Sequence, residues 1–208
     1  MRILSLINKC IKFKSFVFDS VTLEKINNYD ALVIYIRSRK NSKPICSKCN
    51  NVCSVYDHLK DYRSFEFIPI WGIKVYFKYK MRRCNCNNCG VIVEKVPWAK
   101  GKSRLTLHFQ LFLANWAKKL SWKAVALAFN TTWDNVLNSV KEIVAYGLKC
   151  RKLSNLTAIG IDEIQMGKGH KYITLVYQIN EGCKRLLYIA KDRKVKSLLR
   201  FFYEIGKD

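Results

Sequence analysis

Ile159-Gly160-Ile161-Asp162-Glu163-Ile164 sets two acids at the end of an apolar strand. A carboxylate there is costly unless it is hydrogen-bonded, paired or coordinating a cation. Two-metal phosphoryl transfer needs several carboxylates drawn from different elements, and Asp162 is the natural first of such a set. The competing reading is that the strand emerges into solvent with both acids exposed. Downstream, 172–179 and 185–190 carry the same β-rich pattern. Gly167-Lys168-Gly169 and Asn180-Glu181-Gly182 separate the runs, so 157–164, 172–179 and 185–190 predict an antiparallel meander. A helix over 195–205 follows, with Leu198, Leu199, Phe202 and Ile205 on one face. Gly167-x-Gly169 has no helix after it, so a hairpin turn is a better reading than a phosphate loop. His170, beside it, is a minor candidate for the same site.

Upstream of a basic connector (149–156), the period is helical from 103 to 148. Leu105, Phe109, Phe112, Trp116 and Leu120 recur at spacings of three and four. A short helix over 122–129 has Ser121 as its N-cap. After the turn Asn130-Thr131-Thr132, a third helix starts on Thr132 and carries Trp133, Val136, Leu137, Val140 and Val144 on one stripe. Gly147 is placed to end it. Helix, short turn, helix, with a supporting helix before them, is helix-turn-helix geometry. Thr131, Asn135, Asn138 and Ser139 are then free to reach base edges or phosphates. Lys118, Lys119 and Lys123 sit on the supporting helices. An ordinary helical bundle is the alternative.

The segment 41–96 is strand-rich and holds six of the nine cysteines. Cys46-x2-Cys49 and Cys86-x2-Cys89 are paired knuckles, and two such pairs make a structural Cys₄ zinc site. Cys53, Cys84 and His58 lie nearby; packed, reduced thiols are the plain reading of the two spare cysteines. A closed site of four thiolates leaves no open position for catalysis. Within this segment Ile73, Val75, Phe77, Tyr79 and Met81 alternate with Lys74, Tyr76, Lys78, Lys80 and Arg82, after a turn at Trp71-Gly72. One face is apolar. The other either tracks phosphates or is a solvated outer face. Residues 97–102 read as a basic linker, and 1–40 as a lead-in in which 31–37 is a strand.

Composition fits these assignments. The chain has 208 residues, with 38 Lys and Arg against 15 Asp and Glu, for a net charge of +23. Segments 1–45, 46–100, 101–156 and 157–208 carry about +6, +6, +7 and +4, so this is not a basic tail on a neutral enzyme. Nucleic acid is the expected partner. The longest apolar runs, 31–36 and 124–129, fall far short of the roughly 20 residues of a spanning helix. The N-terminus is too short in apolar residues for a signal peptide. A reducing, cytoplasmic location follows, with thiols serving metal rather than disulfides.

The order of parts now carries a resemblance. The finger ending Arg82-Arg83-Cys84-x-Cys86-x2-Cys89, Val96-Pro97-Trp98-Ala99, the helix start Leu120-Ser121-Trp122, and Gly160-Ile161-Asp162-Glu163 with Gly169-His170-Lys171-Tyr172 resemble the DDE transposases of bacterial insertion sequences, in the group called the ISL-three family. The resemblance spans roughly residues 40–208. It implies a multi-module α+β chain: a zinc-finger β module, a helix-turn-helix three-helix module and part of a ribonuclease H-like α/β catalytic domain over 157–208. It implies zinc on Cys46, Cys49, Cys86 and Cys89, with Cys84 off the metal. It makes Asp162 the first acid of a DDE triad that uses Mg²⁺ or Mn²⁺ for strand cleavage and transfer. Its partner would be the double-stranded terminal inverted repeats of the element, in a nucleoid-associated protein that can form homo-oligomers. None of Asp192, Glu204 and Asp208 matches the second or third acid. The expectation is therefore an N-terminal part truncated before them, with an unstable, self-associating 157–208 and a compact 40–148. A catalytically inactive DNA-binding protein or repressor derived from a transposase is the alternative. A zinc-dependent protein-interaction module is a third reading.

Overall fold

The computed structural model describes residues 3–151, 153 and 156–205. Lys152, Ser154 and Asn155 of the expected connector, and Asp208, lie outside the described residues, as do the side chains of Cys183 and Glu204. The chain is a mixed α+β protein that divides into two compact units, 1–147 and 148–208.

The first unit opens with α1 (Ile3–Cys10), β1 (Phe16–Ile26) and β2 (Tyr29–Ser38). The two strands form a hairpin from Phe16↔Ser38 to Ile26↔Tyr29. Asn27 and Asn28 close it with φ of 50° and 67°, the left-handed pair a two-residue hairpin turn demands. The 31–37 strand is thus real, but the expected lead-in is more than that. The chain continues through β3 (Ser54–His58), β4 (Arg63–Ile70), β5 (Ile73–Tyr79), β6 (Arg82–Cys86) and β7 (Gly90–Val93). One sheet has the order β1-β2-β5-β4, with β2 and β5 parallel; the other is β3-β6-β7. The hairpin β4–β5 therefore leaves the cysteine segment and completes the N-terminal sheet. The region 41–96 is not one module: only its two ends build the cysteine-bearing sheet.

The period-2 pattern of β5 holds. Val75, Phe77 and Tyr79 are buried, with Met81 beyond them. Its outer face differs from the expected one. Lys78 pairs with Glu24 at 2.8 Å and Lys74 with Glu66 at 3.0 Å. The bonds from Lys78, Thr22 and Tyr35 lower Glu24 to about 2. Neutralised lysines are poor phosphate trackers, so the solvated-face reading is the better one. Arg82 is not on that face at all; it is buried.

The expected linker 97–102 is also corrected. Trp98 is 0% exposed, and its ring meets those of Phe16, Tyr79, Phe13 and Phe65 at 4.9–5.9 Å. A large buried aromatic dominates a core, and this one anchors the segment in the sheet's core. Among the described residues its Nε1 meets no hydrogen-bond partner. Arg63 donates to the carbonyls of Gly101 and Ser103, both at 3.0 Å, fixing the rest of the segment.

Three helices follow: α2 (Leu107–Trp116), α3 (Trp122–Ala128) and α4 (Trp133–Lys149). The hydroxyls of Thr106, Ser121 and Thr132 accept from the backbone N–H three residues on, as N-caps do. Leu105, Phe109, Leu113, Val125, Ala126 and Val136 form their core, against which Ile68 of β4 packs. α4 runs two residues past Gly147, so that glycine is no terminator.

The second unit is the expected meander: β8 (Ile159–Gln165), β9 (Tyr172–Asn180) and β10 (Cys183–Ala190), in the order β10-β9-β8, then α5 (Val195–Ile205). α5 covers Val176 and Leu187 with Phe201. Ile161, Ile164, Ile179 and Ile189 stay exposed.

Candidate metal centre and nucleic-acid interface

Cys46, Cys49, Cys86 and Cys89 come together, with every sulfur within 4.8 Å of the others. A tetrahedral zinc–thiolate site, with bonds of ~2.3 Å, has sulfurs about 3.8 Å apart. Cys49 and Cys86 already lie at 3.5 Å. The donors present thus fit a metal ion.

Both knuckles are built alike. In the first, Cys46 N–H donates to Asn51 O at 2.8 Å and Asn50 N–H to Cys46 O at 3.1 Å. In the second, Cys89 N–H donates to Cys86 O at 3.3 Å. The residue after each second cysteine is left-handed: Asn50 at 62° and Gly90 at 72°. Asn and Gly tolerate that conformation, which turns the chain back over the metal position. This Cys-x-x-Cys-Asn/Gly signal is present in the sequence, though the spacing argument did not use it.

The fold also readies two thiols for ionisation. The backbone N–H groups of Cys49 and Lys48 hold Cys46 below the ordinary thiol value. Those of Asn88 and Cys89 hold Cys86 down at about 6. Cys89 is pushed up to about 12, first by its hydrogen bond with Cys49 and then by burial. Cys53 and Cys84 are buried beside the cluster and outside the close four. Burial pushes Cys53 up to about 12, as expected for a packed, protonated thiol.

Where β6 begins and β7 ends lies a buried group that the sequence did not reveal. Glu94 is buried, and accepts from Tyr79 Oη at 2.7 Å and from Arg82 N at 2.9 Å. Arg82 Nε and Nη2 reach its other oxygen at 2.9 and 2.7 Å. Arg82 Nη1 donates to Ser42 O at 2.8 Å. Glu94 also bridges to Cys46 in an isolated β-pair. This network links the second knuckle's strands to the first.

On the helices, the expected contact residues separate into three groups. Asn138, Lys118, Lys119 and Lys123 are exposed. Thr131 and Asn135 are half-buried and occupy each other, Asn135 Nδ2 donating to Thr131 Oγ1 at 3.0 Å. Ser139 is corrected: it is 0% exposed, and its hydroxyl donates to Asn135 O at 2.6 Å. It lies three residues after Val136 on the packed side, so it cannot touch a ligand.

Asp162 is exposed on β8, the edge strand of its sheet. Its Oδ1 accepts from Glu163 N at 2.8 Å. Glu163, next along the strand, points to the opposite face. The exposed-acid reading of this strand is the one observed. Asp162 joins no group of three or more potential metal ligands among the described residues. A divalent ion for phosphoryl transfer therefore finds no complete donor set there.

The chain is thus a mixed α+β protein with a four-cysteine cluster that fits a metal and an exposed acid on a strand. Comparison with known proteins narrows this. Residues 159–208 match the family profile described as a transposase of the DDE, ISL-three type. The chain is 29% identical over 202 residues to the transposase for insertion sequence element IS1557 of Mycobacterium tuberculosis, covering 94% of this chain and 44% of that protein. It is 24% identical over 162 residues to the transposase for insertion sequence element IS1001 of Bordetella parapertussis, covering 77% and 39%. No solved structure matches. These matches support an insertion-sequence transposase of the ISL-three family. It spans less than half the length of the curated relatives it matches. No helix among the described residues is long and apolar enough to cross a membrane.

Proposed function

We propose that this chain recognises DNA for transposition: zinc holds the knuckles, and the α2–α4 segment acts as a helix-turn-helix on terminal inverted repeats. The observation that carries the reading is the pairing of a built four-cysteine centre with three capped helices in a chain of net charge +23. Zinc, when bound, ties the two knuckles into one fold. Among the helical side chains, Asn138 with Lys118, Lys119 and Lys123 makes the contacts; Thr131 and Asn135 brace the turn beside them. Asp162 serves as one acid of a DDE site on a ribonuclease H-like domain. Among the described residues Asp162 stands alone, and one exposed acid does not by itself hold Mg²⁺ or Mn²⁺.

A second reading is that the chain binds element ends without cutting them. Anisotropy titration of the full chain with an element-end duplex and a scrambled duplex tests the DNA reading. Preference for the end, with affinity falling steeply with salt, supports it. Equal, salt-insensitive binding sinks it and leaves the interaction-module reading. Nicking with Mg²⁺ or Mn²⁺ that disappears in Asp162→Ala separates cutting from binding alone.

A further inference from the structure

Gly169-His170-Lys171-Tyr172, one carrier of the family resemblance, has no part in the reading above. In the fold it lines a cleft. The β8–β9 turn is closed by Met166 N–H donating to Lys171 O at 2.7 Å, and Gln165 Nε2 donating to Gly169 O at 2.8 Å. Gly167 and Gly169, with φ of 72° and 92°, allow it to double back. The β10–α5 turn forms the opposite wall, tied to β9 by Thr174 Oγ1 donating to Asp192 O at 2.8 Å. Between the walls is an open cleft of about 660 Å³.

Four of the nine lining residues are Lys or Arg, against one acid. Lys171 and His170 come from one turn, and Lys191, Arg193 and Lys194 from the other. Among the described residues no ion pair engages these lysines or Arg193. The single acid of the lining, Asp192, accepts from the Ser197 side chain and from Lys194 N at 3.0 Å, and its charge offsets part of that of Lys194. Arg193 lies over the Tyr172 ring, 4.3 Å from its centroid. A guanidinium held on an aromatic face keeps its N–H fork open to an oxyanion. Unpaired like charges repel one another and disfavour the fold locally, so an anion placed among them relieves a cost as well as adding contacts. Met166, Tyr172 and Ile173 supply apolar surface between the charges, but the cleft is open and its cations come from both walls, an arrangement that suits the phosphate of a long polyanion. β8 delivers Asp162 roughly 13 Å along the strand from Met166.

We infer that this cleft seats a phosphodiester of a DNA backbone, drawing the duplex onto the sheet that bears Asp162. The inference rests on the DNA-binding reading and adds a second contact region to it. Arg193 supplies the bidentate contact, Tyr172 positions Arg193, and Lys171 and Lys191 supply point charges.

Anisotropy titrations of the full zinc-loaded chain on a labelled duplex, from about 50 to 200 mM salt, test it. The variants are Lys171→Gln/Arg193→Gln, Arg193→Lys, and Lys25→Gln/Lys184→Gln as a charge-matched control. The first should lose affinity on the order of tenfold, and its salt slope should shrink by about one to two, near 0.9 for each lost phosphate. Arg193→Lys should fall between it and the wild type, and the control should barely change. All these side chains are exposed, so melting curves should coincide. Unchanged slope and affinity in the first variant, while the wild type still binds, overturns the cleft and leaves the helical reading standing. Equal losses in the control overturn it too, in favour of diffuse charge. Displacement of the duplex by inorganic phosphate at constant ionic strength overturns the DNA assignment in favour of a free-anion site. No DNA binding by the wild type overturns the cleft and the reading beneath it together.

Discussion

Arg82 grips Glu94 through two nitrogens, 2.9 and 2.7 Å from the same carboxylate oxygen, joining the start of β6 to the residue after β7. Both side chains are almost wholly buried, 3% and 0% exposed. The pair is held on every side by Tyr79, the Arg82 amide and Ser42. Removing one partner should be severe. Glu94→Ala should cost about 3–5 kcal/mol by chemical denaturation, because it strands a buried guanidinium. Replacing both, as in Arg82→Met with Glu94→Leu, should recover most of that loss. If the double variant is as unstable as the single, the network does more than satisfy its own charges.

Metal binding should depend on the cysteines unequally. Cys46→Ser and Cys89→Ser should abolish stoichiometric zinc and unfold the β3-β6-β7 sheet, since binding energy is folding energy in so small a sheet. Cys53→Ala and Cys84→Ala should each keep one zinc per chain by metal analysis. Zinc retained in Cys89→Ser but lost in Cys84→Ala would exchange their roles.

The same centre should respond to pH in a defined direction. Metal binding displaces thiol protons, so affinity must rise with pH. Cys89, raised to about 12, is protonated in the metal-free chain at any working pH and releases a proton throughout. Cys86, lowered to about 6, adds a proton only below that value. A competition titration should therefore steepen on the acid side of pH 6. A slope constant from pH 5 to 8 would show that Cys86 is not so depressed.

On the helices, Asn138→Ala should relax preference for the element end more than it weakens binding to scrambled duplex. Asn135→Ala should act mainly on the turn it shares with Thr131. Ser139→Ala should leave DNA binding within twofold, because its hydroxyl bonds back to the preceding turn. Ser139→Ala abolishing end preference would contradict the packing of α4.

Trp98→Ala should destabilise the first unit by about 3–5 kcal/mol, the cost of emptying a large aromatic site. Limited proteolysis of the wild type should spare 97–102. Rapid cleavage there would mean the segment is a linker after all.

Much of this was legible locally. Period-2 alternation marked β5, β-rich runs split by glycine-bearing turns marked the 159–190 meander, helical spacing marked α2 and α4, and Ser121 and Thr132 marked the starts of α3 and α4. Two Cys-x-x-Cys pairs named the four cysteines that the fold gathers. These features are set by neighbours along the chain, where backbone geometry and side-chain period act directly. What only the tertiary structure decided are pairings between distant segments. Spacing could not show that the 36 residues between the cysteine pairs hold a hairpin that docks on β2, in parallel register from Ala31↔Lys74 to Ile36↔Tyr79. Nor could it show that Trp98, in a stretch that reads as a linker, is needed to fill the core. Arg82 is in phase with Lys74, Lys78 and Lys80 in the sequence, yet it begins β6 and is buried, paired with Glu94 twelve residues on. Period-2 patterning assigns a side chain to a face; whether that face meets water or another sheet is settled by which segments pack, a long-range choice that sequence-local physics leaves open.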